Sequence, residues 1–249
     1  MNKIASKIKP RGGFAHVLYV AFNILIPVVM YVLMQWGLVM LALAVVLLAK
    51  WRMLAVQPRH WWPNIRANAV DIIVGLAILG FMTQTGSSGM QALFALLYGI
   101  WLIVLKPKAD ILSVSLQAFV AHTFGLIAIF SVWGSAPTGV MVLSAGVVGY
   151  VCARHFFTSF DERHTPLYAH TWGYFCAALV WILSHWLLFY NFLPQPALLL
   201  TVLGFGLAGL YYLEQTDRLS ILLRRQFMFI MVAIVVVVLA FSDWGDKAI

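Results

Sequence analysis

Apolar runs close to twenty residues long, each ended by charge, by Gly or Pro, or by an aromatic cluster, recur from Phe14 almost to the C-terminus. A helix of that length covers about 30 Å, the thickness of a bilayer's hydrocarbon core. Nine runs are counted, near 14–34, 37–50, 67–83, 90–105, 111–133, 137–157, 167–190, 197–213 and 226–242. The composition is 63% hydrophobic and 10% charged, against about 45–50% and 25% in soluble proteins, which rules out a water-soluble core of this size. In lipid every backbone polar group must be satisfied within its own segment, so an all-α, polytopic transmembrane helical bundle of about nine spans is expected. The second run, Gly37 to Ala49, covers only about 20 Å, so eight spans are the alternative. Extension through Trp51 to Val56 would complete it, with Lys50 and Arg52 snorkelling.

The basic residues test this partition. With the N-terminus inside, 15 of the 16 Lys and Arg fall on the internal side, leaving only Lys247 outside. Such sorting follows the positive-inside rule and predicts a cytoplasmic N-terminus and an external C-terminus, in a plasma (inner) membrane of bacterial type. The expected organisation is a basic cytoplasmic tail over 1–13, one transmembrane domain over 14–242 and a short external tail over 243–249. The first apolar run is too long for a signal-peptide core and lacks a small-residue cleavage site, so it reads as an uncleaved span. External connections are short and uncharged. Internal ones are longer, and the longest, Lys50 to Arg66, carries Trp51, Trp61 and Trp62, as an interfacial segment does. Trp36, Trp101, Trp133, Trp172 and Trp244 also fall at span ends, where indole favours the headgroup zone. A four-fold rhythm of helix pairs opening through basic loops is visible, but without sustained residue identity the charge rule alone accounts for it.

Ionisable groups within the bilayer are costly and mark function by default. Asp71 is the clearest. Asn64, Asn68, Asp71 and Gly75 recur at helical spacing and form one polar and small stripe, suited to cation binding or proton relay, or to a structural pair with Arg66 or a neighbouring helix's Arg. His122 lies mid-span in the fifth run, where an imidazole shuttles protons, ligates haem, or sits neutral in a helix interface. His170, Tyr174, Trp181 and His185 share one face of the seventh run. The densest polar segment holds Arg154, His155, Asp161, Glu162, Arg163 and His164, a cytoplasmic cluster whose spacing fits no metal-ligand pattern and reads as a solvated turn with local ion pairs. Glu214 and Arg218 stand at the favourable i,i+4 spacing of a helix pair. Cys152 and Cys176, within apolar runs, read as unpaired small hydrophobes. Ala145, Gly149 and Ala153, and Gly204 with Ala208, give small-residue stripes for close helix packing, in one chain or a homo-oligomer.

Absences narrow the activities. No Lys lies within an assigned span, which excludes a retinal Schiff base, and neither a phosphate loop nor a nucleophile elbow occurs. The net charge of +8 is interleaved with apolar runs rather than gathered on a polar face, which argues against nucleic acid as a partner. No cofactor is identified by these residues. The leading expectation is permeation of a solute, ion or proton, or the membrane subunit of a transport system, through Asp71, Asn68, Asn64, His122, His170 and His185. The alternative is a noncatalytic scaffold whose Arg52, Arg59, Arg66, Arg224 and Arg225 contact anionic lipid or a protein partner. A third reading is catalysis on a lipid-borne substrate at the cytoplasmic polar cluster.

Overall fold

The computed structural model describes residues 13–53, 55–134, 136–184, 189–190 and 193–242. The N-terminal tail to residue 12, the C-terminal tail from 243, His185 and the side chain of Arg52 lie outside the described residues. Nine α-helices occupy the described chain: α1 (Phe14–Gln35), α2 (Val39–Leu48), α3 (Trp61–Gln84), α4 (Ser88–Ile100), α5 (Ile111–Val132), α6 (Thr138–Thr158), α7 (Thr165–Leu183), α8 (Gln195–Gln215) and α9 (Ile221–Phe241). The protein is a helical bundle, and seven stretches, all but α2 and α7, are long and apolar enough to cross a membrane. Two short strands, β1 (Phe189–Tyr190) and β2 (Leu193–Pro194), pair antiparallel before α8.

Local chemistry sets the helix ends. Ser87, Asp110 and Ser220 each accept a backbone N–H from three residues on, capping α4, α5 and α9. Pro166 and Pro196 stand in the first turns of α7 and α8, where a missing N–H costs nothing. At the end of α1, Gly37 takes φ 72° while Leu38 N–H donates to Leu33 O at 2.9 Å, so the chain reverses in a Schellman turn. The end of α8 closes in the same way, with Asp217 at φ 54° and Arg218 N–H donating to Leu213 O at 2.9 Å.

The main core gathers buried residues of α1 to α8, with Ala121, Leu126, Ile129 and Phe130 of α5 at its middle. The tightest crossing joins α6 and α7. A Cβ on Gly149 would meet Cys176 Sγ at 2.6 Å, and one on Gly173 would meet Gly146 O at 2.9 Å, so absent side chains let these backbones touch. α9 packs on α8 and leaves Phe229, Val236 and Phe241 exposed on its outer face.

Three boundaries differ from expectation. α3 starts at Trp61 rather than near 67, because Pro63 is tolerated in a first turn and the expected interfacial loop shortens to two 3₁₀ turns, Trp51–Met53 and Pro58–His60. α2 stops at Leu48 and Lys50 turns inward, only 6% exposed, so the expected snorkelling of Lys50 does not occur. α7 ends at Leu183 instead of continuing to 190.

Candidate functional site

The polar stripe of α3 is the spine of the site. Asn64 Nδ2 donates to Met53 O at 3.3 Å and so holds the turn after α2, while Asn68 Nδ2 donates to Asn64 O at 2.9 Å. One turn further lies Asp71, about 15 Å along α3 from Trp61 and about 20 Å short of Gln84 at 1.5 Å per residue. Lys50, beyond α2, places Nζ 2.9 Å from Asp71 Oδ2, and Lys106, beyond α4, places Nζ 3.1 Å from the same oxygen. Trp101 donates its indole N–H to Oδ1 at 3.1 Å. Two other segments thus converge on one carboxylate that is 13% exposed.

The end of α4 makes this convergence possible. From Trp101 to Leu105 the helix widens into a π turn, and Lys106 N–H donates to Trp101 O at 2.9 Å. In an α-helix, residues five apart point about 140° from each other. The i to i+5 closure brings Trp101 and Lys106 to one side, an arrangement often found at functional positions. Gln117 of α5 anchors the segment beyond it. Its Nε2 donates to Leu105 O at 2.7 Å and Lys108 O at 3.0 Å, and its Oε1 meets His155 Nε2 of α6 at 3.0 Å.

Tyr98, one turn before Trp101, is 1% exposed and its hydroxyl has no hydrogen-bond partner among the described residues. It lies against Gly75, whose Cβ, if present, would meet Tyr98 Oη and Val46 Cγ1 at 2.8 Å each. Gly75 is therefore the gap through which α2, α3 and α4 close around Asp71. Beyond it, Met30, Ile78 and Met82 are fully buried and form an apolar layer, and the charged cluster sits where α2 and α4 end beside the middle of α3.

His122 belongs to a different place. It is buried between α5, α7 and α8, accepts the Trp172 indole N–H at Nε2 at 3.3 Å, has Cys176 Sγ at 3.8 Å, and rests against Gly204. His170 faces outward with Nδ1 donating to Pro166 O at 2.6 Å, and Tyr174 beside it is 77% exposed. The structure therefore does not gather the α7 histidine face with Asp71.

The polar cluster expected on the cytoplasmic side divides as well. Arg154 donates to the Tyr150 hydroxyl at 3.0 Å, His155 turns to Gln117, and Asp161 to His164 form a turn with Asp161 at φ 52°. The expected local ion pairs are replaced by hydrogen bonds. Tyr211 Oη of α8 donates to Glu162 Oε2 and His164 N–H donates to Oε1 at 3.1 Å, and together they hold the Glu162 carboxyl below the usual carboxylate range. Rings of Phe156, Phe157, Phe160 and Tyr211 pack around this contact. Arg163 remains exposed.

Two expected pairs are also corrected. Asp71 does not pair with Arg66, which lies five residues away and turns its guanidinium over the Trp62 ring at 5.4 Å. Glu214 pairs at the surface with Arg224 at 3.9 Å instead of Arg218, because α8 ends before Arg218. Arg59 and Arg225 are exposed. No group of three or more His, Cys, Asp and Glu side chains suited to a metal is found among the described residues. Sequence reasoning found Asp71 and its stripe but missed Lys50, Lys106, Tyr98 and Trp101. The signal available was a Lys at the end of each flanking run.

Compared with known proteins, the chain matches no family, no curated protein and no solved structure. It is a multi-pass membrane protein by the length and apolarity of its helices, and its one buried charged centre is Lys50–Asp71–Lys106 among the described residues.

Proposed function

We propose that this protein is a permeation or transport protein, or the membrane subunit of a transport system, with Lys50–Asp71–Lys106 as its working centre. One observation carries the reading: three ionised side chains from three segments meet inside an otherwise apolar bundle, where holding charge is expensive and ion or solute paths are the usual reason for it. The sorting of basic residues supports an orientation in which the cluster opens toward the cytoplasm of a cell bounded by a plasma (inner) membrane. The apolar layer beyond Gly75 closes the other side, so passage requires α2, α3 and α4 to move relative to one another. His122 has a packing role in this scheme, because its ring nitrogen is occupied by Trp172 and its surroundings are apolar.

The test is purified protein in liposomes, with electrical current recorded under imposed gradients of protons, sodium, potassium, chloride or phosphate. A gradient-driven current that disappears in Asp71→Asn and Lys106→Gln while the helical content is retained is the expected result. Silence of the wild type under every gradient, or wild-type current in both variants, overturns the proposal.

A second reading rests on the exposed guanidinium groups of Arg59, Arg224 and Arg225. They suit contact with anionic headgroups or a protein partner, with the bundle as scaffold. Charge reversal at these residues, compared with changes in the cluster, separates the two readings by which set impairs retention of lipid or partner in mild detergent.

A further inference from the structure

We infer that the Lys50–Asp71–Lys106 cluster is an oxyanion site that takes a phosphate group. The inference rests on this cluster being the working centre and adds the chemical class of what it holds. Two ammonium groups and one carboxylate leave a surplus of one positive charge. Both lysines share Oδ2 of Asp71, and Oδ1 accepts from the Trp101 indole, so the one negative charge of the carboxylate offsets only one of the two ammonium groups. The described ion pairs of Lys50 and Lys106 go to Asp71 alone. Asp110, Asp161, Glu162, Glu214 and Asp217 lie in turns and helix ends elsewhere. A surplus charge on side chains this little exposed, 6% at Lys50 and 13% at Asp71, has to meet negative charge or be lost.

Geometry points to an incoming anion. Lys106 is 27% exposed, whereas Lys50 is 6% exposed. The cluster is thus open at Lys106 and closed behind Lys50. Each ammonium carries three N–H donors, and Asp71 Oδ2 takes one from each. Tyr98 adds a buried hydroxyl without a partner, one helical turn from Trp101. Ammonium donors with N–H groups to spare suit a phosphate's several oxygens, since charge-assisted hydrogen bonds to phosphate are among the stronger ones. The phosphate can be carried by an anionic lipid headgroup or by a free solute.

The full chain in phosphatidylcholine nanodiscs provides the test. One arm titrates inorganic phosphate, and the other replaces part of the phosphatidylcholine with phosphatidylglycerol; thermal unfolding and native mass spectrometry are the readouts. Stabilisation in the first arm identifies a free oxyanion, and retained phosphatidylglycerol in the second identifies a headgroup. In either case Lys106→Gln weakens apparent affinity by about tenfold or more, whereas a change at the exposed Arg218, Arg218→Gln, leaves it unchanged. Lys106→Arg, which keeps the charge, and Asp71→Asn, which raises the surplus, retain or tighten binding, so the test does not depend on Lys106→Gln folding. No response to either probe, or equal losses in Lys106→Gln and Arg218→Gln, overturns the inference. Binding without gradient-driven current keeps the anion site and removes the transport reading, and current without binding does the reverse.

Discussion

Trp172 donates its indole N–H to Nε2 of His122 at 3.3 Å across the α5–α7 interface. Indole nitrogen is a donor only, so Nε2 presents its lone pair and the imidazole is the neutral tautomer with its proton on Nδ1. A side chain held in this way acts as a polar rivet between two helices. His122→Ala leaves the Trp172 N–H unpaired beside a cavity and is expected to cost about 2–4 kcal/mol. Thermal unfolding in detergent measures it. Current per folded protein should persist, and lost current at an unchanged melting temperature would return His122 to the transport path.

Asp71 is expected to respond differently. Removing it strands two ammonium groups, and Asp71→Ala should destabilise the fold by about 3–5 kcal/mol, the usual result of breaking a buried pair from one side. Lys50→Ala combined with Asp71→Ala should cost less than the sum of the single changes, by about 1–3 kcal/mol in a double-mutant cycle. Additive costs would mean that the two side chains do not interact.

Gly75→Ala inserts a methyl group where Tyr98 Oη and Val46 Cγ1 stand 2.8 Å from the new atom. Overpacking of this kind costs about 1–3 kcal/mol. Because one of the two obstacles is a hydroxyl, Tyr98→Phe in the Gly75→Ala background should recover part of the loss. A melting temperature unchanged by Gly75→Ala would contradict the close approach of α2, α3 and α4.

The Glu162–Tyr211 contact should weaken in acid. Donation from Tyr211 and from His164 N–H lowers the Glu162 pKa in the folded state, so the unfolded chain binds the proton first as pH falls. The contribution is complete above the ordinary glutamate value of about 4.3 and is lost as pH drops through the lower folded value. Protection of the amides of residues 159–164, taken relative to the intrinsic exchange rate at each pH, should therefore fall in the wild type once the pH is below that range. In Tyr211→Phe it should already be low at neutral pH, and identical protection in both proteins at neutral pH would count against the contact.

How far the sequence reaches is visible at Lys50 and Asp71. Asp71 stood out by itself, since a carboxylate in an apolar run is anomalous wherever the helix packs, and its stripe with Asn64, Asn68 and Gly75 follows from 3.6-residue periodicity. Lys50 was assigned to the interface because a local reading ends a run at its first charge. Its burial depends on α2 stopping at Leu48 against α3, which no single run encodes. The same local reading puts Trp101 and Trp172 in the headgroup belt, yet both donate to side chains of other helices.

Lipid as solvent, helix as the repeating unit, the positions of nearly all nine helices and the sorting of basic residues are decided by the sequence itself, because each depends on composition within about twenty consecutive residues or on charges at their ends. The partners of Asp71, the separation of His122 from it, and the pairing of Glu162 with Tyr211 are decided only by tertiary structure. Each depends on the rotation and depth of one helix against another, which small-residue contacts such as Gly75, Gly149 and Gly173 and the π turn at Trp101–Leu105 set through close packing.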